Sequence, residues 1–258
     1  MKSIGKAVAN VGWYLVVFIL IQMTIFFVIQ SIIKTDITYN LTALIIATAI
    51  SNIITLFIFT KCHWVLFQQF AHNINSVKTL LWIIIMALST QMPSMWMIEH
   101  LNAAMPDNVT NVLTTLLSNG WGVIVVAFLT PIVEEFVFRG AILRKLQQAF
   151  HQQSPWIAIA ISALLFGLVH GNMAQMPHAF LLGLLLGWLY VRTNSLIPSI
   201  LFHITINSST IILNYTLPNA ETSKLIDTFG GNALLLWSSL SLSLIIFVIS
   251  IQRTIHNT

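Results

Sequence analysis

The chain has 258 residues, of which 57% are hydrophobic and only 7% carry a formal charge, and its mean hydropathy is +0.87. Soluble domains carry about 25% charged residues, so a soluble globular protein is excluded and a polytopic membrane protein is indicated. The net charge of +4 and pI near 9.4 rest on too few charges to point to nucleic acid, and the single cysteine, Cys62, excludes an intramolecular disulfide.

The first apolar run, 11–33, is free of charge and long enough to cross a bilayer, since about 20 residues at a rise of about 1.5 Å span the core. It is longer than a signal-peptide apolar region and no small-residue cleavage site follows, so a retained first helix is expected. Further spans are expected at 39–60, 79–98, 116–138, 155–171, 175–192, 195–215 and 232–252, making eight. The fold class is all-α, a bundle of about eight transmembrane helices. It forms one integral-membrane domain over 1–258, with a motif-bearing helical core at about 116–215.

With the N-terminus in the cytoplasm, the inner side holds Lys2, Lys6, Lys61, Lys78, Arg139, Arg144, Lys145, Arg192 and Arg253, and the outer side only Lys34 and Lys224. This bias follows the positive-inside rule and places both termini in the cytoplasm. Asp36, Glu99, Asp107, Glu221 and Asp227 fall outside. The outer loops 99–115 and 216–231 are long enough for short interfacial helices, and 140–153 reads as a basic, amphipathic extension of the fourth helix into the cytoplasm. The sequence GLLLG at 183–187 has the small-residue spacing that permits close helix contact.

Three groups of ionisable residues interrupt the spans. In EEFVFR (134–139), Glu135 and Arg139 are four apart and can pair on one helical face, while Glu134 points about 100° away and is left over. Pro131 just upstream is expected to loosen the helical ladder. In FGLVHG (166–171), His170 ends a charge-free run; in FHITIN (202–207), His203 and Asn207 share one face a turn apart. A lone membrane histidine, or one such pair, more often serves helix–helix hydrogen bonding. The depths argue for a shared site. Glu134 and His170 each lie 18 residues from a hairpin near Gln152, about 27 Å along each helix. His203 lies nine residues past the turn at Asn194, about 14 Å, so all three groups can share one layer in the cytoplasmic half.

A buried carboxylate beside an imidazole can hold and deprotonate water, and N–H donors at 203 and 207 suit an oxyanion. Two histidines and a carboxylate can instead bind zinc, with metal-bound water as nucleophile. The residue types leave both chemistries open.

These three stretches resemble the motifs E-E-x-x-x-R, F-x-x-x-H and H-x-x-x-N/D of the CAAX prenyl-protease and bacteriocin-processing family (CPBP, or Abi) of intramembrane proteases. The resemblance spans about 134–207. It implies an eight-helix bundle whose cavity opens to the cytoplasm. It further implies that Glu134 and His170 activate water, that His203 and Asn207 form the oxyanion hole, and that Glu135 and Arg139 support them. Family members have been described both as metalloproteases and as metal-independent glutamate proteases, and the glutamate mechanism is the expectation here. The implied partners are the lipid bilayer and a peptide or membrane-protein substrate, in a bacterial plasma membrane, with roles in bacteriocin self-immunity or peptide-signal processing. Two other classes are weighed against it. An ion- or proton-coupled transporter would use intramembrane Glu and His, but the first three helices offer only uncharged polar residues such as Gln22, Asn52 and Gln91. A non-catalytic bacteriocin immunity protein would have no need of intact motifs.

Overall fold

The computed structural model describes residues 2–34, 36–66, 76–101, 105–217 and 224–257. Ten helices account for the described fold: α1 (Lys2–Ile33), α2 (Leu41–Lys61), α3 (Val77–Ser89), α4 (Gln91–Leu101), α5 (Asp107–Leu117), α6 (Gly120–Ala149), α7 (Pro155–Val169), α8 (Met176–Thr193), α9 (Leu196–Thr216) and α10 (Ala233–Asn257). The described residues contain no strand. Side-chain caps mark where several helices start: Asn40, Asn119, Ser154 and Ser195 each accept a hydrogen bond from an N–H of the first turn. Asn194 ends α8 in the left-handed region at φ 50°, which asparagine tolerates better than most residues.

Six stretches are long and apolar enough to cross a membrane: Ile4–Ile33, α2, Val77–Leu101 (α3 and α4 in line), α6, α9 and α10. The other two expected spans are real helices but differ in kind. Helix α7 is apolar yet only 15 residues long, about 22 Å against a hydrocarbon core of about 30 Å. Helix α8 has 18 residues and begins with the polar stretch MPH. The expected short helices of the outer loops are present as α5 and as a 3-10 turn at Leu225–Phe229; Glu221 lies outside the described residues.

Helix α6 is the centre of the molecule. Half of its most apolar stretch is buried inside the protein, against none of α1's. Every residue from Glu135 to Leu143 is buried, among Phe59, Ala158, Ile159, Phe166, Tyr190 and Leu196. The expectation that 140–153 projects into the cytoplasm is therefore corrected for its first part. Gly140 to Leu143 are core residues because the chain is apolar there, and at Gly140 an added Cβ would sit 2.8 Å from Val65.

Helix α6 is not a uniform α-helix. Two π segments, Val125–Leu129 and Phe136–Leu143, flank the α-helical turn-and-a-half Thr130–Glu135. Pro131 explains the first. It has no N–H to donate, and the register shifts so that the Thr130 N–H reaches back five residues to the Val125 carbonyl. The ladder is loosened at Pro131 as its sequence position implies.

Helices α7 and α8 form an antiparallel hairpin with closely approaching backbones. A Cβ on Gly183 would lie 2.9 Å from Ala163 Cα, one on Gly187 3.0 Å from Ile159 and one on Gly167 2.9 Å from the Met176 carbonyl. The GLLLG spacing thus serves packing within the chain. Substituting Gly183→Ala is expected to push α8 off α7 and cost about 1–3 kcal/mol by overpacking. The check is a lower melting temperature in detergent, with Gly12→Ala, whose Cβ would meet nothing within 4 Å, leaving it unchanged or slightly raised.

Candidate active site

The three polar motifs meet around α6. Arg139 Nη1 donates to Glu135 Oε1 at 2.8 Å, and neither side chain is exposed at all. The pair expected from the i, i+4 spacing is present, but it lies in the interior and Arg139 does not reach up to a membrane surface. Its other contacts explain why. Arg139 Nη2 donates to the Gly183 carbonyl at 3.2 Å, and the guanidinium lies over the Phe166 ring at 4.7 Å. Glycine at 183 lets α8 come close enough for that carbonyl to be reached. A buried charge is tolerated only when paired and hydrogen-bonded, and these contacts supply most of that. Glu135 Oε2 and Arg139 Nε are the two polar atoms of the pair without a hydrogen-bond partner.

His203 on α9 completes the network. Its Nδ1 lies 2.9 Å from Glu135 Oε1 and its Nε2 lies 3.6 Å from Glu134 Oε2. The chain of contacts runs Arg139, Glu135, His203, Glu134. Because Glu135 holds Nδ1–H, the Nε2 face of the ring is turned to Glu134. His203 is only 3% exposed as a residue, whereas 19% of the Glu134 side chain remains exposed. The residue left over by the sequence is thus the one carboxylate of the pair that is not fully buried.

His170 sits at the end of α7. Its Nδ1 pairs with the Phe166 carbonyl at 2.8 Å, which fixes Nδ1 as the donor and leaves Nε2 as the basic nitrogen. No hydrogen bond or ion pair joins it to Glu134. The imidazole that Glu134 meets is His203. Phe166 links the two histidines instead, edge-on to His170 at 5.0 Å and to His203 at 5.8 Å between centroids. The phenylalanine of the second motif is therefore the floor on which Arg139 and both imidazoles rest.

Asn207 lies one turn beyond His203 and its Nδ2 reaches the Val126 carbonyl at 3.4 Å. In the π register that carbonyl's partner five residues on is Pro131, which has no N–H, so the proline both frees the carbonyl and calls for an outside donor. An amide nitrogen carries two hydrogens, and the second is available to a ligand. Asn52 Nδ2 bonds Thr130 Oγ1 at 3.0 Å, and Gln91 Nε2 bonds the Ile206 carbonyl at 2.9 Å. The uncharged polar residues of the early helices fasten the site's two principal helices.

One residue escaped the sequence reading. His178, half-buried in the first turn of α8, is close enough to His170 and His203 for their charges to act on it. Its signal was available, since it follows His170 by eight residues across a tight turn, but hairpin geometry is needed to see that it comes back to the same place.

The donors do not fit a metal centre. Among the described residues no three His, Cys, Asp or Glu side chains are grouped to hold a metal ion. Glu135 Oε1 is taken by both Arg139 Nη1 and His203 Nδ1.

The fold and the site define a helical, multi-pass integral membrane protein with a carboxylate–imidazole centre between its helices. Residues 116–209 match the family model described as Rce1-like, type II CAAX prenyl endopeptidase Rce1-like. The matched residues contain all three motifs, and the match agrees with the resemblance to the CPBP family, a family of proteases. No curated protein and no solved structure matches the chain.

Truncating Arg139 to Ala is expected to cost about 3–5 kcal/mol, because it leaves Glu135 charged in the core with only the His203 imidazole beside it. Arg139→Lys should recover little, since one ammonium cannot serve Glu135, Gly183 and Phe166 together. The double variant Glu135→Gln, Arg139→Met should melt higher in detergent than Arg139→Ala; a lower melting temperature would show that the pair is not what the core depends on.

Proposed function

We propose that the protein is an intramembrane endopeptidase that hydrolyses a peptide bond through water activated by Glu134 and His170, with His203 and Asn207 stabilising the oxyanion. The observation that carries this reading is the division of labour between adjacent carboxylates. Glu135 is locked to Arg139 and His203, and Glu134 is partly exposed beside the same imidazole.

In this mechanism a water lies between Glu134 and the free Nε2 of His170. Its oxygen attacks the carbonyl carbon of the scissile bond while Glu134 takes the proton. The carbonyl oxygen becomes an oxyanion and accepts hydrogen bonds from the Nδ2–H of Asn207 and from the Nε2–H of His203 in its doubly protonated form, whose Nδ1–H stays on Glu135. The tetrahedral carbon then collapses, the C–N bond breaks, and the proton held by Glu134 passes to the departing amine. Glu135 and Arg139 touch no reacting atom; they orient His203. Phe166 sets the spacing of the two histidines. No step is routed through a metal, since the donor set does not form a site for one. The substrate in this reading is a membrane-associated peptide or protein, and the small all-membrane chain suits a bacterial plasma membrane.

The test is cleavage of candidate membrane peptides by purified protein in detergent. Glu134→Gln and His170→Ala are each expected to lower the rate by at least about 10²-fold, and Asn207→Ala by about 10²–10³-fold, with melting temperatures near that of the parent. Activity is expected to survive verified removal of metal by a chelator. Cleavage undiminished in Glu134→Gln would overturn the assignment.

A further inference from the structure

Contacts between helices fix the heights of the polar side chains. Ser162 Oγ donates to the Phe138 carbonyl at 3.1 Å. On the antiparallel α6 and α7, Glu134, four residues before Phe138, is therefore level with Phe166, four after Ser162. Across the next hairpin Gly183 packs on Ala163 and Gly167 on Phe180, which puts Phe166 opposite Phe180. His178 then stands about 3 Å beyond the level of Glu134, and His170 about 6 Å beyond it. On α9, His203 meets Glu134 and Asn207 lies one turn further on. In height, His178 falls between the layer of Glu134 and His203 and the layer of His170 and Asn207.

Its direction agrees with its height. His178, Leu182 and Leu185 share one stripe of α8, and both leucines pack against the core cluster that holds Phe202 and Ile206 of α9. His178 thus belongs to the face of α8 turned toward the helix that carries His203 and Asn207. It is also near enough to His170 and His203 for their charges to act on it.

The three imidazoles differ in how they are held. The Phe166 carbonyl fixes Nδ1 of His170, and Glu135 fixes Nδ1 of His203. His178 is half-buried, and among the described residues no hydrogen bond engages either of its ring nitrogens. An unpartnered polar ring between apolar helices is costly, and a leucine there would continue the stripe at lower cost. The imidazole is accounted for by a partner that arrives from outside the fold. A peptide extended in a site between membrane helices brings such partners, because its own N–H and C=O groups have lost their intrahelical bonds and each needs a new one. A neutral imidazole offers one N–H donor and one lone-pair acceptor, which match the carbonyl and the N–H of a peptide main chain.

We infer that His178 is a substrate-binding residue that hydrogen-bonds the main chain of the bound peptide beside the scissile bond. Resting on the peptidase reading above, this adds α8 to the helices that hold the substrate. The bond forms in the ground state and persists in the transition state, so it sets affinity and register and leaves the chemical step alone. Because it engages main chain, it acts on peptides irrespective of their side chains.

The test measures binding without cleavage, on full-length protein in detergent carrying Glu134→Gln. The probes are fluorescein-labelled, lysine-flanked apolar peptides of about 20 residues, differing in their four central residues, with affinity read by anisotropy. Adding His178→Leu is expected to weaken binding of every peptide that binds by about three- to tenfold, with a melting temperature at or above that of Glu134→Gln alone. His178→Gln, which keeps a donor and an acceptor, is expected to restore affinity to within about twofold. For any probe the native chain cleaves, His178→Leu should raise KM by the same factor at unchanged kcat. Affinity unmoved by His178→Leu, a fall in kcat at unchanged KM, or a lowered melting temperature with no rescue by Gln would overturn the proposal. Binding of no peptide by Glu134→Gln would count against this proposal and the peptidase reading together. Binding that depends on His178 without cleavage by the native chain would sink the peptidase reading alone.

Discussion

An ion pair in the middle of a membrane protein has to be held by everything around it, and the Glu135–Arg139 pair is held in that way. The carboxylate accepts from Arg139 and meets His203, while the guanidinium reaches the Gly183 carbonyl and lies on Phe166. Those partners come from α7, α8 and α9, so one buried pair on α6 fixes the positions of three other helices. Isolated, either charge would be far too costly in this core. Paired, they give His203 a defined orientation, and that orientation presents its second nitrogen to Glu134.

The π segments of α6 make the rest possible. A regular α-helix keeps nearly all its carbonyls for itself, whereas a π register around a proline leaves some free. Asn207 takes the Val126 carbonyl and Ser162 takes that of Phe138 at 3.1 Å. Local departures from the ideal ladder thus become the points at which α9 and α7 are attached, and the first of them positions a residue of the third motif.

The short α7–α8 hairpin contributes in another way. Small residues at 163, 183 and 187 allow a tight approach that brings the Gly183 carbonyl to Arg139. Packing and charge neutralisation are therefore consequences of one helix contact.

Much of this was legible in the sequence. Composition alone established a helical membrane protein, and i, i+4 spacing established the Glu135–Arg139 pair, because both follow from chain-local physics. Counting residues from the hairpin at Gln152 put Glu134, His170 and His203 in one layer; in the structure Phe166 touches both histidines, and His203 meets Glu134. What counting could not fix is azimuth. Rise per residue sets height along an axis, but which imidazole faces Glu134 depends on how α9 packs against a helix whose π turns alter its phase. For that reason the sequence paired Glu134 with His170, and the structure pairs it with His203. The return of His178 to the site, the burial of 140–143 and the inward course of Arg139 were decided the same way. Each depends on which helix lies alongside, and only the assembled bundle specifies that.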